Sequence, residues 1–592
     1  MAADYDFIIV GGGTAGCLLA HRLSHSAAKP SILLLEAGTN PSGDYLRAPF
    51  HRYTPAMLRP DLDQGYTSEP EPGLDGRQIA YTRGKGLGGS SILNFGVYLY
   101  GSGEDYNRWS ELVGDESWKW ESVKDSFHEI EDYQFNTAFA HKHLADPSGN
   151  QHGRSGALKV GVPPLLERGV EEQMEAVLRE GEKLNLDPND GDPVGVSIFP
   201  SSYGKEGRTT SAIAHLVDSP ANLEVWTDAK VHQFVWEGMR VVGVVTGDGR
   251  KGEFPCRVPP VSYDHFNVRV GAYISTASAT KEVILCGGTM DTPKLLLLNG
   301  IGPRAELEAL GVQVKQDLPG VGKNLQDHVM TFMSVEVDGK SNDRYSFESN
   351  AALVAEAEKA WAQDQSGAFA LHQSAVWGGF LKLPALDTYP EYRALPREHQ
   401  AFLSKAAVPA YEFCSNALLW PPGAQLEPGN TYVTFLAFLM NPQSEGSVTL
   451  KSSDPEDKPV IKLNYLTHPY DARVMREAIR ETWTLIAENP SIKPTIRKTL
   501  CGPASLLDED IDAFIRATAG TVWHANGTVK MGREGDEMAC VDWRFRVRGV
   551  KGLRVADLSV CPLTTNNHTQ ATAYLVGKKA ADRLIEEYGL GR

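Results

Sequence analysis

The fold is decided by the stretch DFIIVGGGTAG, which runs from Asp6 to Gly16. Five residues typical of a buried β-strand precede the glycines, and the helix-like sequence AGCLLAHRL follows them. This order of strand, tight turn and helix is the one that a dinucleotide-binding βαβ unit requires. Gly11 allows the turn, Gly13 lets a pyrophosphate approach the backbone, and Gly16 lets the helix pack closely on the strand. The helix N-terminus, with Thr14 and Ala15, is expected to face the phosphates.

An acid completes the nucleotide-binding pattern. The next apolar run, Ser31 to Leu35, ends in Glu36 and Ala37. Glu36 lies about twenty residues beyond the last glycine, where an acid binds a ribose hydroxyl. A carboxylate there repels a 2′-phosphate, which disfavours NADP. A chance Gly-rich turn is the competing interpretation. The strand, the helix and the acid follow one another at the spacing that the motif requires, so we predict nucleotide binding. The motif alone does not separate FAD from NAD.

Composition sets the outer limits of the prediction. The chain has 592 residues, of which 42% are hydrophobic and 22% charged, so it is globular and too long for one ordinary core. Its net charge of −17 argues against nucleic acid and anionic membrane surfaces as partners. No apolar run reaches membrane-spanning length, and no leader precedes the first strand. We expect a cytoplasmic protein, and a secreted form would require that a leader had been removed.

The cysteines and histidines carry different signals. Seven scattered cysteines without CxxC spacing suit a reducing compartment and predict no metal site.

Two histidines stand near the C-terminus, His524 in TVWHANGTVKMG and His568 in NNHTQATAYLVG. Removing hydride from an alcohol carbon leaves a protonated carbonyl unless a base takes the hydroxyl proton, and histidine is matched to that work. An isolated histidine is more often structural than catalytic.

Several ordered motifs resemble the glucose-methanol-choline (GMC) oxidoreductase family, nearly from end to end. They are GKGLGGSSILN at 84–94, GTMDTPKLLLLNGIG at 288–302, LPGVGKNLQDH at 318–328, GSVTL at 446–450 and GLRV at 552–555. The resemblance implies an α/β fold (α+β overall), with a Rossmann-like FAD-binding domain and a substrate-binding domain of antiparallel sheet plus helices. We expect the FAD-binding domain at 1–160, 200–329 and 516–592, and the substrate-binding domain at 161–199 and 330–515.

The resemblance also implies which residues bind FAD. The backbone of Val231 would hold the adenine, and residues of the family motifs would contact the flavin and its pyrophosphate: Arg83, Gly88, Gly89, Ser90, Asn94, Val97, Trp523, Asp557, Thr569 and Gln570. Some members attach FAD covalently through a histidine at the position that Leu93 occupies here. We therefore expect non-covalent FAD.

The two histidines take on roles through the same resemblance. His524 occupies the catalytic base position of the family's W-H-x-x-G-T motif, and His568 would hydrogen-bond the alkoxide. Beyond His568, apolar residues recur at spacings of three and four, which predicts a terminal helix whose N-terminus points back at the site. Its dipole could stabilise the negative charge that grows on the flavin as hydride arrives.

The substrate is predicted less sharply than the family. The His524 motif resembles fungal aryl-alcohol oxidase-like and secondary-metabolism members, which suggests an aromatic or polyketide-derived alcohol. Oxygen or another molecule would reoxidise the flavin, and the enzyme would be a monomer or homodimer. Two alternatives are a non-redox use of the fold, as a cyclase or lyase, and a catalytically silent FAD-stabilised scaffold. The stretch from Gly252 to Ala279, longer than usual, could be a surface loop, an interface element or retained intron sequence.

Overall fold

The larger of the two main sheets has nine strands among the described residues. The structure is a computed structural model, and it describes residues 3–41, 47–134, 141–147, 151–247, 261–263, 266–270, 275–339, 341–371, 373–417 and 424–591. In spatial order the strands of this sheet are Val231–Glu237, Arg240–Thr246, Ser275–Leu285, Ala3–Val10, Ile32–Leu35, Leu223–Thr227, Phe266–Val270 and Val261–Tyr263, and Leu553–Val555 pairs with Ser275–Leu285.

The centre of this sheet is parallel and buried on both faces. Ala3–Val10 pairs in parallel with Ile32–Leu35 on one side and with Ser275–Leu285 on the other. Phe7, Ile8 and Ile9 are fully buried, which explains why the strand reads as a continuous apolar run. Because ligands bind outside the carboxyl ends of such strands, the glycines after Val10 lie at the expected edge. The predicted nucleotide-binding sheet is confirmed.

One detail of the sheet differs from expectation. The alternation of apolar residues over 222–247 predicts antiparallel strands around a glycine turn. The second part of this stretch is an antiparallel hairpin, but Leu223–Thr227 pairs in parallel with Ile32–Leu35. Alternation of apolar residues identifies a strand and not its neighbour, which explains the error. The long stretch 252–279 lies largely outside the described residues. Within it, Val261–Tyr263 and Phe266–Val270 extend the sheet at one edge, so it is not a loop throughout.

A second sheet of six strands is antiparallel. Its order is Trp377–Leu381, Tyr411–Ala417, Thr431–Leu439, Val329–Val337 and Ile496–Cys501, with Gly520–Thr521 paired to Val329–Val337. The 18-residue helix Pro469–Ile486 packs on this sheet through an apolar face. The predicted antiparallel sheet with helices is therefore confirmed, while the exact domain boundaries given above stay a prediction.

The remaining elements connect and cover the two sheets. The other α-helices are Thr14–Ser24, Thr54–Leu58, Gly103–Val113, Trp120–Ile130, Val170–Arg179, Ser211–His215, Gly288–Leu298, Arg304–Ala309, Arg344–Glu348, Ala351–Asp364, Ala368–Leu371, Pro390–Arg393, Arg397–Leu403, Asp508–Thr518 and Gln570–Glu587. Short strands lie at Tyr66–Thr67, Ala80–Tyr81, Glu131–Tyr133, Leu158–Val160, Gly195–Ile198, Tyr203–Gly204, Gly207–Arg208, Ile301–Gly302, Gln316–Asp317, Ser447–Thr449 and Val460–Lys462. Within the described ranges, no helix is both long and apolar enough to cross a bilayer.

The predicted terminal helix is present as Gln570–Glu587 and packs against the first helix. Gly577 makes this approach possible, because a Cβ there would lie 2.5 Å from the carbonyl oxygen of Ala15. Thr569 precedes the helix without a side-chain cap, and its first residue lines the same cavity as the glycine turn. Two helix N-termini therefore meet at one cavity.

Candidate active site

One cavity of about 460 Å³ runs from the glycine turn to the two C-terminal histidines. Most of the predicted site residues line it: Gly11, Gly13, Thr14, Ala15, Glu36, Ala37, Arg83, Gly89, Ser90, Asn94, Val97, Val231, Trp523, His524, Asp557, His568, Thr569 and Gln570. Gly16 and Gly88 do not. Gly16 packs behind the turn against Gly11, and Gly88 donates its N–H to the Gly12 carbonyl at 2.7 Å. These two glycines shape the site without lining it.

The glycine turn is built for close approach of a ligand. Gly11 has φ of +108°, a conformation that favours glycine, and a Cβ there would clash with the Cys286 carbonyl. The helix Thr14–Ser24 starts after Gly13 without a side-chain cap, and its first turn lines the cavity. Its free N–H groups and its dipole suit a diphosphate. The residues present therefore fit a dinucleotide cofactor.

Glu36 lies at one end of the site formed by the glycine turn 11–16 and the helix N-terminus, which we call the dinucleotide cradle. Its Oε2 accepts a hydrogen bond from the Gly12 N–H at 2.9 Å, and its Oε1 accepts one from the Gly38 N–H at 2.7 Å. Burial raises the pKa of this carboxyl, and the backbone hydrogen bonds oppose the rise. Each oxygen keeps lone-pair capacity for a ribose hydroxyl. The structure thus places Glu36 where the sequence pattern predicts a ribose ligand.

The loop 84–94 lies against the cradle and the C-terminal segments. Gly89 has φ of +52°, and a Cβ there would lie 2.6 Å from the Cα of Gly13. At the end of the loop, Asn94 Nδ2 donates to Gln570 Oε1 at 2.5 Å, at the start of the terminal helix. Leu93 is buried and lines the cavity. The loop therefore covers the space between the two helix N-termini.

Asp557 fixes a further turn beside the cavity. Its Oδ2 accepts hydrogen bonds from the Gly288 N–H at 2.9 Å and from the Thr292 hydroxyl at 2.6 Å. Its Oδ1 accepts one from the Ser559 N–H at 2.8 Å. Asp557 thereby joins the end of strand Leu553–Val555 to the start of helix Gly288–Leu298.

The two predicted histidines face each other at the far end of the cavity. The ring centroids of His524 and His568 are 5.0 Å apart and their planes cross at 77°. Trp523 precedes His524 with φ of +61°, an uncommon conformation for a bulky residue. Its carbonyl accepts a hydrogen bond from the Arg83 guanidinium at 2.7 Å. Such strain persists only where the surroundings hold it, as in many functional sites.

A third histidine, His328, orients His524. The two Nδ1 atoms are 2.9 Å apart, so one of them must carry the proton that they share. The His328 Nε2 is buried without a hydrogen-bond partner among the described residues. Burial lowers the pKa of His328 to about 3. Both the burial of His524 and the neighbouring charge of His568 lower its pKa well below the usual value. Both rings are therefore neutral near pH 7.

This contact determines which nitrogen of His524 can act as a base. If the His524 Nδ1–H donates to His328, the Nε2 of His524 keeps a free lone pair. If His328 donates instead, the proton of His524 sits on Nε2 and that nitrogen cannot accept another. Base catalysis at Nε2 thus requires the first arrangement. His328 was missed as a functional residue, although it ends the quoted motif LPGVGKNLQDH.

Two buried carboxylates support the histidines. Glu412, on strand Tyr411–Ala417, accepts a hydrogen bond from His568 Nε2 at 2.8 Å. Asp327 accepts one from the main-chain N–H of His524 at 2.8 Å and others from Tyr81, Tyr465 and Thr521. Sequence reasoning missed both. The available signal for Glu412 was an acid between Tyr411 and Phe413 in a predicted strand.

The walls beside the histidines are apolar and aromatic. They consist of Tyr53, Phe95, Met330, Ala375, Cys414, Leu436, Phe438, Val522 and Trp523. The rings of Tyr53 and Phe95 are 4.1 Å apart, and those of Phe95 and Trp523 are 5.6 Å apart at 84°. Of the aromatic residues Trp361, Trp377, Tyr411, Phe413, Phe435 and Phe438, Phe438 alone lines this wall. Trp361, Trp377, Tyr411, Phe413 and Phe435 belong to the buried core, and Trp420 lies outside the described residues.

Comparison with known proteins decides the family. Models of the N- and C-terminal regions of GMC oxidoreductases match residues 5–330 and 442–577. The chain belongs to the GMC oxidoreductase family. It is therefore a flavoprotein oxidoreductase that acts on CH–OH groups, and the fit of the cavity to a dinucleotide agrees with FAD as its cofactor.

Curated relatives of this GMC oxidoreductase include oxygen-dependent choline dehydrogenases. Those of Sinorhizobium fredii and Rhizobium etli are each 32% identical, and they align with 100% and 99% of this chain and with 97% and 96% of their own lengths. These relatives are bacterial, so they do not support the expected link to fungal secondary metabolism.

Solved structures show the same fold. A formate oxidase has a TM-score of 0.87 at 24% identity, with 99% of both chains covered. An FAD-dependent oxidoreductase of Chaetomium thermophilum has a TM-score of 0.84 at 26% identity and covers 99% of this chain and 100% of its own. A fungal aryl-alcohol oxidase has a TM-score of 0.84 at 24% identity, with 100% of both chains covered. The predicted fold and family are confirmed.

Proposed function

We propose that this GMC oxidoreductase oxidises an aromatic or polyketide-derived alcohol to a carbonyl compound, with His524 as the general base. One observation carries the proposal: the ring centroids of His524 and His568 lie 5.0 Å apart, in the same cavity that begins at the dinucleotide cradle. FAD, when bound, supplies the hydride acceptor at its N5. The alcohol then needs only a proton acceptor and a group that holds its oxygen.

The chain provides both of these groups. The neutral His524 takes the hydroxyl proton at Nε2 while its Nδ1–H donates to His328. The Glu412 carboxylate fixes the ring of His568 by accepting its Nε2–H, and His568 donates to the substrate oxygen when Nδ1 also carries a proton. Glu412 is buried, so its charge acts in a medium of low dielectric constant. A general base of this kind contributes roughly 10²–10⁴-fold in rate.

The walls of the cavity favour a flat apolar substrate. Tyr53, Phe95 and Trp523 form a chain of ring contacts beside the histidines. Burial of an aromatic ring there is favourable by roughly 25 cal/mol per Å² removed from water, and stacking adds to it. A sugar would need many convergent polar side chains, and the described residues of this wall offer few.

A quaternary ammonium alcohol such as choline is the second candidate. The choline dehydrogenase relatives favour it, and aromatic rings bind quaternary ammonium groups. Against it, the carboxylates that line the described cavity, Glu36, Asp291, Glu456 and Asp557, belong to the nucleotide-binding side. Glu412 is 1% exposed and engaged by His568. A neutral substrate therefore fits this wall better.

The substrate assignment is tested by anaerobic stopped-flow bleaching of the flavin. We expect benzyl-type primary alcohols to reduce the flavin faster than choline or glucose at equal concentration. Faster reduction by choline or glucose would contradict the aromatic assignment and leave the histidine chemistry standing. Tight binding of aromatic alcohols without any bleaching would instead favour a cyclase or lyase.

We propose further that FAD is bound non-covalently, because Leu93 stands where some relatives of the family carry the attachment histidine. FAD modification has been studied in the formate oxidase neighbour, so the point needs its own test. We expect acid precipitation to leave yellow FAD in the supernatant. Flavin that stays with the protein pellet would show a covalent bond.

The pH dependence of kcat/KM follows from the depressed pKa of His524. The base is active when deprotonated, and burial together with the neighbouring charges of His568 and Arg83 holds its pKa well below 6.5. We expect kcat/KM for flavin reduction to stay level from about pH 8 to pH 6.5, because the pKa of the free base lies below this range. An acid limb with an apparent pKa of 7 or higher would be inconsistent with His524 as that base.

A further inference from the structure

A cluster of histidine and glutamate side chains lies on the surface, outside the active site. His141 and His143 stand on a turn, with one residue between them. Glu171 and Glu175 stand one helical turn apart on helix Val170–Arg179. Glu171 contacts both histidines: its Oε2 lies 3.0 Å from His141 Nδ1 and its Oε1 lies 2.9 Å from His143 Nε2. Ring nitrogens and carboxylate oxygens of this kind are zinc ligands.

Three of these four side chains are close enough to share one ion. The ligand atoms of His143, Glu171 and Glu175 all lie within 4.8 Å of one another. A zinc ion binds about 2.0–2.2 Å from each ligand atom, so these side chains must change rotamer to share one ion. These changes are available because the His143 and Glu175 side chains are 53% and 48% exposed. Glu175 also lies 3.5 Å from the Arg179 guanidinium, a solvent-exposed contact that is weak and easily broken.

The backbone holds the two halves of the cluster in register. Leu144 and Ala145 follow His143 directly and are buried in the same apolar cluster as Val170 and Met174 of the helix. The turn is closed by a hydrogen bond from the Leu144 N–H to the His141 carbonyl at 2.8 Å. The histidines are therefore anchored beside the first turn of the helix before any ion binds.

We propose that this cluster binds one divalent transition-metal ion, with Zn²⁺ as the matching probe, through His143, Glu171 and Glu175, with His141 beside them in contact with Glu171. The ion would replace the shared hydrogen bonds of Glu171 and clamp the turn to the helix. The site is structural and separate from alcohol oxidation.

Isothermal titration of the untagged, EDTA-treated holoenzyme with ZnCl₂ tests this proposal. We expect one Zn²⁺ per chain, and at least a tenfold loss of affinity in the His143→Ala/Glu171→Gln double variant. Glu172→Gln, an exposed neighbour on the same helix, is the matched control and should bind as the parent does. Zn²⁺ should raise Tm in the parent and the control only.

Two results would overturn the site. One is the absence of saturable binding in the parent, and the other is stoichiometric binding that survives in the double variant. If the double variant does not fold, Glu175→Gln carries the same test. Flavin reduction by the alcohol should be equal in parent and variants without metal, since none of the four residues lines the active-site cavity.

Discussion

Replacement of His524 by Ala is expected to slow flavin reduction by roughly 10²–10⁴-fold, the range lost with a general base. The hydroxyl proton would then have no acceptor as hydride leaves the alcohol carbon. FAD content should not change, because the main-chain N–H that binds Asp327 remains. The measurement is single-turnover flavin bleaching under anaerobic conditions, compared with the FAD absorbance of the purified variant.

Two further variants test whether the lost rate belongs to His524 as the base. His25→Ala removes an exposed histidine far from the cavity and should keep the parent rate. His568→Ala should slow bleaching less than His524→Ala if His568 only holds the alkoxide. A larger loss for His568 would exchange the two roles. Full turnover in both variants would rule out the histidine mechanism.

Replacement of Gly16 by Ala is expected to prevent FAD loading altogether. The added Cβ would clash with the Gly11 carbonyl and would lie 3.2 Å from the Cys286 side chain. To relieve the clash, the first helix must move away from the first strand, and the helix N-terminus then leaves the phosphate position. We expect colourless or insoluble protein, measured by flavin absorbance per chain and by Tm.

Gly339→Ala is the matched control for this variant. No atom lies within 4 Å of a Cβ at this position among the described residues, and its φ is not in the left-handed region. It should load FAD as the parent does. A Gly16→Ala protein with full FAD occupancy and an unchanged Tm would show that the close packing at this turn is not needed.

The nucleotide-binding half was largely predictable from local sequence. A strand, glycines, a helix and an acid are consecutive signals, and each has a physical requirement that few residues meet. Glu36 and the glycine turn are accordingly where the pattern places them. The parallel pairing of Leu223–Thr227 was not predictable, because the strand's partner, Ile32–Leu35, is nearly two hundred residues away in the chain.

The contacts that His328 and Glu412 make with the two cavity histidines could not be derived from sequence. His524 and His328 are 196 residues apart, and His568 and Glu412 are 156 residues apart. Such pairs form only when the second sheet packs against the nucleotide-binding half, and no local periodicity records that packing. The aromatic wall has the same origin, since Tyr53 and Phe95 come from loops that precede the second sheet in sequence.

The central claim is that this cavity removes hydride from an alcohol carbon while His524 takes the hydroxyl proton. Anaerobic mixing of the holoenzyme with an aromatic primary alcohol and with its α-dideuterated form tests it most directly. We predict that the flavin bleaches and that deuteration slows the bleaching several-fold in the parent. If flavin in the fully loaded enzyme stays oxidised with every alcohol tested, the claim is wrong and the cofactor has a non-redox role.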